Sequence, residues 1–194
     1  MKILAGKYKN RNFFMPKGTR PTQNIVRKAV FDMIGGDLEG IEFLELFAGS
    51  GAMGLEALSR NAQKATFIEK DPKFAEVIRE NLRLLNVDNR ASIDPAWEIL
   101  NIDAFVAIKT FARQKRTFDV VFIDPPYSRG LGKKILKTLN AYDILHPNSL
   151  LIFEHKKAEI LPSQEGRFFL CRQKKYGIKC LSLYQLTNPS SSES

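Results

Sequence analysis

Apolar positions recur in two rhythms along the chain. Near the start, Ile25, Val26, Ala29, Val30, Met33 and Ile34 fall on one face of a helix over about 23–34, with Thr22 placed to cap it and Gly35-Gly36 to end it. Before it, Met1–Ala5 and Asn12–Met15 read as a short basic hairpin turning near Gly6–Asn10, followed by a Pro/Gly/Thr loop at Pro16–Pro21. From residue 41 strands and helices alternate. Strands are predicted at 41–46, 65–69, 98–102, 118–124 and 150–154, and helices from the Gly-rich turn to about 60, then at 72–85, 104–113 and 132–142. Pro72 suits a first helical turn, and FDVVFID reads as a buried central strand. Asp88–Trp97 reads as an irregular connection. Arg167–Lys174 and Lys179–Leu186 form a hairpin pattern around Tyr176-Gly177, and 188–194 is a polar tail expected to be disordered. Alternation of this kind specifies an α/β fold with a mostly parallel sheet. Such sheets bind ligands beyond the C-terminal ends of their strands, so chemistry is expected just after Leu46, Glu69, Ile102 and Ile123.

Composition narrows the classes. The 194 residues are 44% hydrophobic and 26% charged, which supports one folded domain and excludes disorder as the main state. No apolar run approaches the roughly 18 residues of a membrane span, and Lys7 to Asn10 interrupt any secretory pattern. A cytoplasmic setting is expected. The two cysteines, Cys171 and Cys180, lack zinc-site spacing, so no metal site is expected; both read as small buried residues. The net charge of +9 is uneven. Residues 1–35 carry eight basic residues and one acid, 36–155 carry 15 and 17, and 156–194 carry seven and three. Basic ends on a neutral body point to a polyanion partner.

LELFAGSGAMGLEAL places Gly49, Gly51 and Gly54 in a G-x-G-x-x-G turn between strand and helix, with Glu69 twenty residues after Gly49. Glycines admit a ligand close to the backbone, the helix start favours an anion, and the acid accepts from ribose hydroxyls. The turn alone fits either a nicotinamide dinucleotide or S-adenosylmethionine. Glu45 favours the second. A carboxylate there repels a pyrophosphate and attracts the cationic amino group of a methionine moiety.

Asp124-Pro125-Pro126-Tyr127 follows the central strand. Prolines cannot continue the ladder and lock φ, so the turn is stiff and holds Asp124 and nearby carbonyls as acceptors. Those acceptors can orient an exocyclic amine, and Tyr127 can stack on a base.

These residues resemble class I S-adenosylmethionine-dependent methyltransferases, in particular amino-methyltransferases with a (D/N)-P-P-(Y/F) signature. The ordered set MKILAGKYK, RPT, VRKAVFDMI, FLELFAGSGAMGLEALSR, FIEKD, FDVVFIDPPY, LLIFEH and KKYGIKCLSLYQL is similar, over about residues 1–186, to the RsmD-type family that methylates a guanine N2 of bacterial 16S rRNA. The resemblance implies a Rossmann-like, mostly parallel seven-stranded sheet ending in an antiparallel hairpin. It implies a basic RNA-contacting extension over 1–36 and a methyltransferase domain over 37–187. The implied cofactor is S-adenosylmethionine. Glu45, Phe47, Ala48, Gly49, Ser50 and Gly51 would hold it, with Glu69 on its ribose and Asp103 and Ala104 at its adenine. The chain has Ile102-Asp103 where the family usually has Gly-Asp, and Asp94 is the alternative adenine acid. Asp124, Pro125, Pro126 and Tyr127 would hold the target base. Lys2, Lys7, Lys9, Arg11, Lys17, Arg20 and Thr22 would contact RNA, with Arg27, Arg129 and Lys133 as further phosphate candidates. The expected partner is 16S rRNA in a small-subunit particle or assembly intermediate, met by a monomer. His155 and His146 are expected to be structural and surface residues. Rival readings are an amino-methyltransferase for DNA or a protein amide, and a nicotinamide oxidoreductase.

Overall fold

The apolar run of the central strand and the two flanking rhythms assemble a sheet with helices on both faces. The computed structural model describes residues 1–16, 24–87, 95–126 and 130–186. In chain order its elements are α1 (Asn24–Ile34), β1 (Glu42–Leu46), α2 (Ala52–Ser59), β2 (Lys64–Ile68), α3 (Pro72–Leu84), β3 (Trp97–Leu100), α4 (Ala104–Arg113), β4 (Phe118–Ile123), α5 (Leu131–Ala141), β5 (Leu145–Lys156), β6 (Gln164–Glu165), β7 (Phe168–Tyr176) and β8 (Lys179–Leu186). The sheet order is β3-β2-β1-β4-β5-β8-β7-β6. β1 to β5 are parallel, and β8, β7 and β6 continue antiparallel. Strand order reverses between β1 and β4, the switch point where open α/β sheets bind ligands.

Side chains alternate across this sheet. Phe43, Val120, Phe122 and Ile152 meet Val26, Val30 and Phe31 of α1 on one face, where the Phe31 and Phe43 rings stack at 6.3 Å. Farther along that face, Ala65 and Phe67 pack on α2 and α3. Leu44, Val121, Ile123 and Phe153 point the other way, onto α4 and α5.

Three details of the backbone depart from the sequence expectation. The sheet has eight strands rather than seven, because two-residue β6 pairs with the start of β7. β5 begins at Leu145 rather than 150. Its pairing with β4 jumps from Phe118↔Leu145 to Val120↔Leu150, and the buried Ser149 hydroxyl donates to the Phe118 carbonyl at 2.6 Å across this irregularity. The N-terminal hairpin forms where expected but is too short for regular strands: the Lys2↔Asn12 bridge is flanked by backbone hydrogen bonds between Met1 and Phe13 and between Ile3 and Arg11. Its inner backbone faces α2, where Leu4 and Ala5 N–H groups donate to the Glu56 carboxylate at 2.8 and 3.0 Å. Expectations for 88–94 and 188–194 lie outside the described residues. Cys180 is buried as expected, whereas Cys171 is exposed on β7. Among the described residues its strand is flanked by β8 and the short β6. Among the described residues no helix is long and apolar enough to cross a membrane.

Glu56 also receives Arg60 at 3.1 Å and Arg27 at 3.5 Å, and Arg27 and Glu56 are both fully buried. Arg27 is therefore neither a solvated helix residue nor a phosphate ligand. It reaches from α1 past the Lys2 carbonyl and joins the N-terminal segment to α2. Removing one partner of a buried pair leaves the other charge uncompensated. Glu56→Ala is expected to destabilise the protein by about 3–5 kcal/mol in urea unfolding, and Arg27→Met added to it should recover part of that loss. An unchanged midpoint in the single variant would contradict this role.

Candidate active site

At the sheet edge the chain turns from β1 into α2 through backbone that few residues tolerate. Phe47, Gly49 and Gly51 all have positive φ, at 60°, 56° and 75°. The left-handed region costs a non-glycine residue about 1–2 kcal/mol, so Phe47 is held there by its surroundings. Its ring packs on the core beneath α4. Two carboxylates fix the turn. Glu45 is buried, and its oxygens accept from the Met53 and Gly54 N–H groups at 3.3 and 2.8 Å, using donors that the first turn of a helix leaves unpaired. Glu69 follows β2 and accepts from the Gly49 N–H at 2.7 Å and the Asp71 N–H at 2.8 Å.

The glycines differ in purpose. A Cβ at Gly54 would lie 2.3 Å from the Phe67 ring, so Gly54 serves helix-to-sheet packing. A Cβ at Gly49 would meet no protein atom within 4 Å. That bare side of Gly49 faces a cavity of about 1080 Å³.

This cavity gathers most of the expected site. Its lining takes Glu45 and Phe47 to Ser50 from the first turn, Glu69 to Phe74 from the second, Ile102 to Phe105 from the third, and Asp124 to Pro126 from the fourth. Gly51 lies behind the lining, where it caps α2. Asp103 caps α4 by accepting from the Phe105 N–H at 2.9 Å and sits beside Ala104 on the wall. Tyr127 and Asp94 lie outside the described residues.

Below Asp124 lies a buried ionic group that local sequence reading did not find. Glu154 of β5 is fully buried and takes a charge-assisted hydrogen bond from Lys179 of β8, which also lines the cavity. Burial pushes the Asp124 carboxyl well above its ordinary range; the Glu154 charge adds to this and Lys179 opposes it. Burial likewise raises Glu154 against the pull of Lys179. Glu45 is raised to about 8, chiefly by burial and against its two backbone hydrogen bonds. Clustered perturbed groups in a cleft are a mark of functional sites. The one available signal was an acid, Glu154, closing an otherwise apolar strand.

Asn81 was also missed. It is buried on α3, accepts from the Phe14 N–H at 2.7 Å, and donates to the Phe14 and Ser50 carbonyls at 3.0 and 3.1 Å. It therefore ties the N-terminal segment to the Gly-rich turn. Asn101 does the same for the second turn, donating to the Glu69 and Lys70 carbonyls at 2.8 and 3.0 Å.

Among the described residues, the expected RNA contacts do not gather at this edge. Lys2, Lys7 and Lys9 are exposed, but the Lys7 N–H donates to the carbonyl of Ser59, the last residue of α2. The eight residues of α2 span about 12 Å, so the tip of the N-terminal turn sits at the end of α2 remote from the cavity. Arg11 caps the far end of α3, donating to the Leu85 and Leu84 carbonyls at 2.8 and 2.6 Å. Lys17, Arg20, Thr22 and Arg129 lie outside the described residues, and Lys133 is exposed on α5. Buried His155 pairs with the Ser182 hydroxyl at 2.8 Å, and exposed His146 meets Thr117 at 3.0 Å. No cluster of three or more metal-ligating side chains occurs among the described residues.

Comparison with known proteins gives the same frame. The family model described as Conserved hypothetical protein 95 matches residues 1–185. A Haemophilus influenzae protein named Ribosomal RNA small subunit methyltransferase D is 33% identical over 187 residues, covering 95% of this chain and 93% of its own. A solved hypothetical protein from Thermus thermophilus superposes with a TM-score of 0.80 at 29% identity, over 96% of this chain and 99% of that one. The fold extends to an RNA methyltransferase from Salinibacter ruber solved with S-adenosyl-L-homocysteine, at a TM-score of 0.64, 16% identity, and coverage of 90% of this chain and 100% of that one. The chain belongs to the Conserved hypothetical protein 95 family, the RsmD-type methyltransferases of Rossmann-like fold.

Proposed function

We propose that this protein is an S-adenosylmethionine-dependent methyltransferase acting on the exocyclic N2 amine of a guanine in 16S rRNA, as a monomer on a small-subunit particle or assembly intermediate. One observation carries the reading: Asp124-Pro125-Pro126 and the Gly49 turn with Glu69 line the same cavity. The names of the curated relatives support the rRNA substrate, and the homocysteine-bound neighbour supports the cofactor.

The residues fit that cofactor. The bare face of Gly49 admits a ligand against the backbone. Glu69 spends one hydrogen bond per carboxylate oxygen on the turns, and a carboxylate has about four acceptor sites, so capacity remains for ribose hydroxyls. Glu45 lies on the cavity wall, where the cationic amino group of a bound methionine moiety would favour its ionised form against the effect of burial. Asp103 and Ala104 would meet the adenine. When bound, S-adenosylmethionine supplies an electrophilic methyl group on its sulfonium.

The protein's own contribution is position and proton handling. Guanine must be presented unpaired or flipped, because duplex pairing occupies its N2. Asp124, held by the proline turn, accepts from the amine and orients its lone pair; Tyr127 would stack on the base. Orientation is the larger effect, since a well-placed reactant pair replaces a bimolecular encounter. An N–H donated to Asp124 favours its ionised form. The nitrogen becomes acidic as it is methylated, and a carboxylate whose pKa burial has raised is a competent acceptor for the departing proton.

Asp124→Asn should lower methyl transfer to small subunits lacking the modification by on the order of 10²-fold or more, with binding of S-adenosylhomocysteine retained. The product identified by mass should be N2-methylguanosine. Cofactor binding without label in any RNA would redirect the site to DNA or protein amines.

Glu45 supplies a second test. Its folded pKa of about 8 exceeds the ordinary 4.5, so the folded state binds this proton more tightly than the unfolded chain. The resulting stability is full below 4.5 and is lost as pH rises toward 8. Relative to Glu45→Gln, the wild type should lose up to about 1.4 kcal/mol per pH unit across that window. Parallel urea-stability profiles for the two proteins would contradict this protonation state.

A further inference from the structure

The strand register places a second basic surface beside the catalytic turn. Ile123 of β4 is opposite Phe153, Phe153 is opposite Ser182, and Ser182 is opposite Gln173. One residue farther, Glu154, Leu181 and Lys174 share a rung, and Asp124 leaves β4 at that level. Lys174 therefore stands three strands from Asp124, about 14 Å at ordinary strand spacing. Lys175 and Tyr176 continue past this level, so the β7–β8 tip rises beyond the sheet edge on the substrate side. It does so on the side of Asp124 away from β1 and β2, whose turns form most of the cofactor wall.

The charge of this ribbon is one-sided. Residues 166–186 contain Arg167, Arg172, Lys174, Lys175 and Lys179 and no acid. Lys179 is committed to Glu154, and Arg167 bonds Asp143 at 2.7 Å. Arg172, Lys174 and Lys175 are exposed, as is Lys157 at the end of β5. The tip is braced, because the Lys157 N–H donates to the Ile178 carbonyl at 2.8 Å while the Ile178 side chain is 70% exposed. A fixed cationic ribbon at the mouth of a site suits a phosphodiester backbone. The turn that carries Lys7, by contrast, sits at the remote end of α2.

We infer that the β7–β8 ribbon, through Arg172, Lys174 and Lys175, grips the RNA backbone flanking the target nucleotide and holds it against the Asp124 turn. This inference rests on the proposed RNA substrate. It assigns the ribbon to affinity, with no part in the methyl transfer itself.

The test is the triple variant Arg172→Gln, Lys174→Gln, Lys175→Gln, assayed as the full chain on small-subunit particles and on naked 16S rRNA. KM should rise on the order of tenfold on both substrates. The log–log salt slope of RNA binding should flatten by about two, since each lost phosphate contact removes about 0.7–0.9. Turnover at saturation, S-adenosylhomocysteine affinity and thermal midpoint should hold, because all three side chains are exposed. If wild type methylates rRNA and the variant keeps its KM and salt slope, the ribbon is not an RNA contact. A rise in KM confined to particles would mean that it meets a ribosomal protein, and would overturn the inference. Wild type that binds S-adenosylhomocysteine but neither binds nor methylates rRNA would remove the proposed function, and this surface with it.

Discussion

Two buried carboxylates hold the backbone on which the site depends. The turn after β1 carries three positive-φ residues and opens α2 without a side-chain cap. Left alone it would strand several N–H groups in a mostly apolar setting, at a cost of about 1–3 kcal/mol each. Glu45 takes the N–H groups of Met53 and Gly54, and Glu69 takes those of Gly49 and Asp71. The same acids line the cavity. Loop geometry and ligand chemistry are therefore not separable here. The raised pKa of Glu45 is the cost of placing an acid there without a nearby cation strong enough to offset its burial.

A second layer of polar contacts fastens this turn to the start of the chain. Glu56 collects the backbone of Leu4 and Ala5 together with Arg27 and Arg60. Asn81 links Phe14 to Ser50. Ile3, Tyr8 and Phe13 are buried against α2 and α3, and α1 covers the central strands. Residues 1–16 and α1 thus complete one face of the sheet while carrying exposed charge on their outer surface.

Much of this was legible in the sequence because it is local. The alternation of apolar periods set out the α/β order, and helix 104–113 was placed to the residue. The Gly-rich turn, Glu69 and Asp124-Pro125-Pro126 announced themselves because the end of a strand concentrates function in such sheets. What stayed hidden depends on partners far along the chain. Arg27 looks like an ordinary exposed helix cation until Glu56 is set beside it. Nothing near Arg11 in the chain announces the end of α3 that it caps. Lys179 and Glu154 are 25 residues apart and become one buried pair only when β8 docks on β5. The extended start of β5 required a register shift that no periodicity encodes, and two-residue β6 is too short to have a pattern.

The proposed S-adenosylmethionine site is the Glu69-pinned turn and its cavity. Calorimetric titration of wild type and Glu69→Ala with S-adenosylhomocysteine tests it most directly. One site is expected on the wild type, with an affinity lower by about 10- to 100-fold in the variant, the loss expected for hydrogen bonds to a charged acceptor. Folded wild-type protein that shows no binding, or a variant that binds as tightly as wild type, would contradict it.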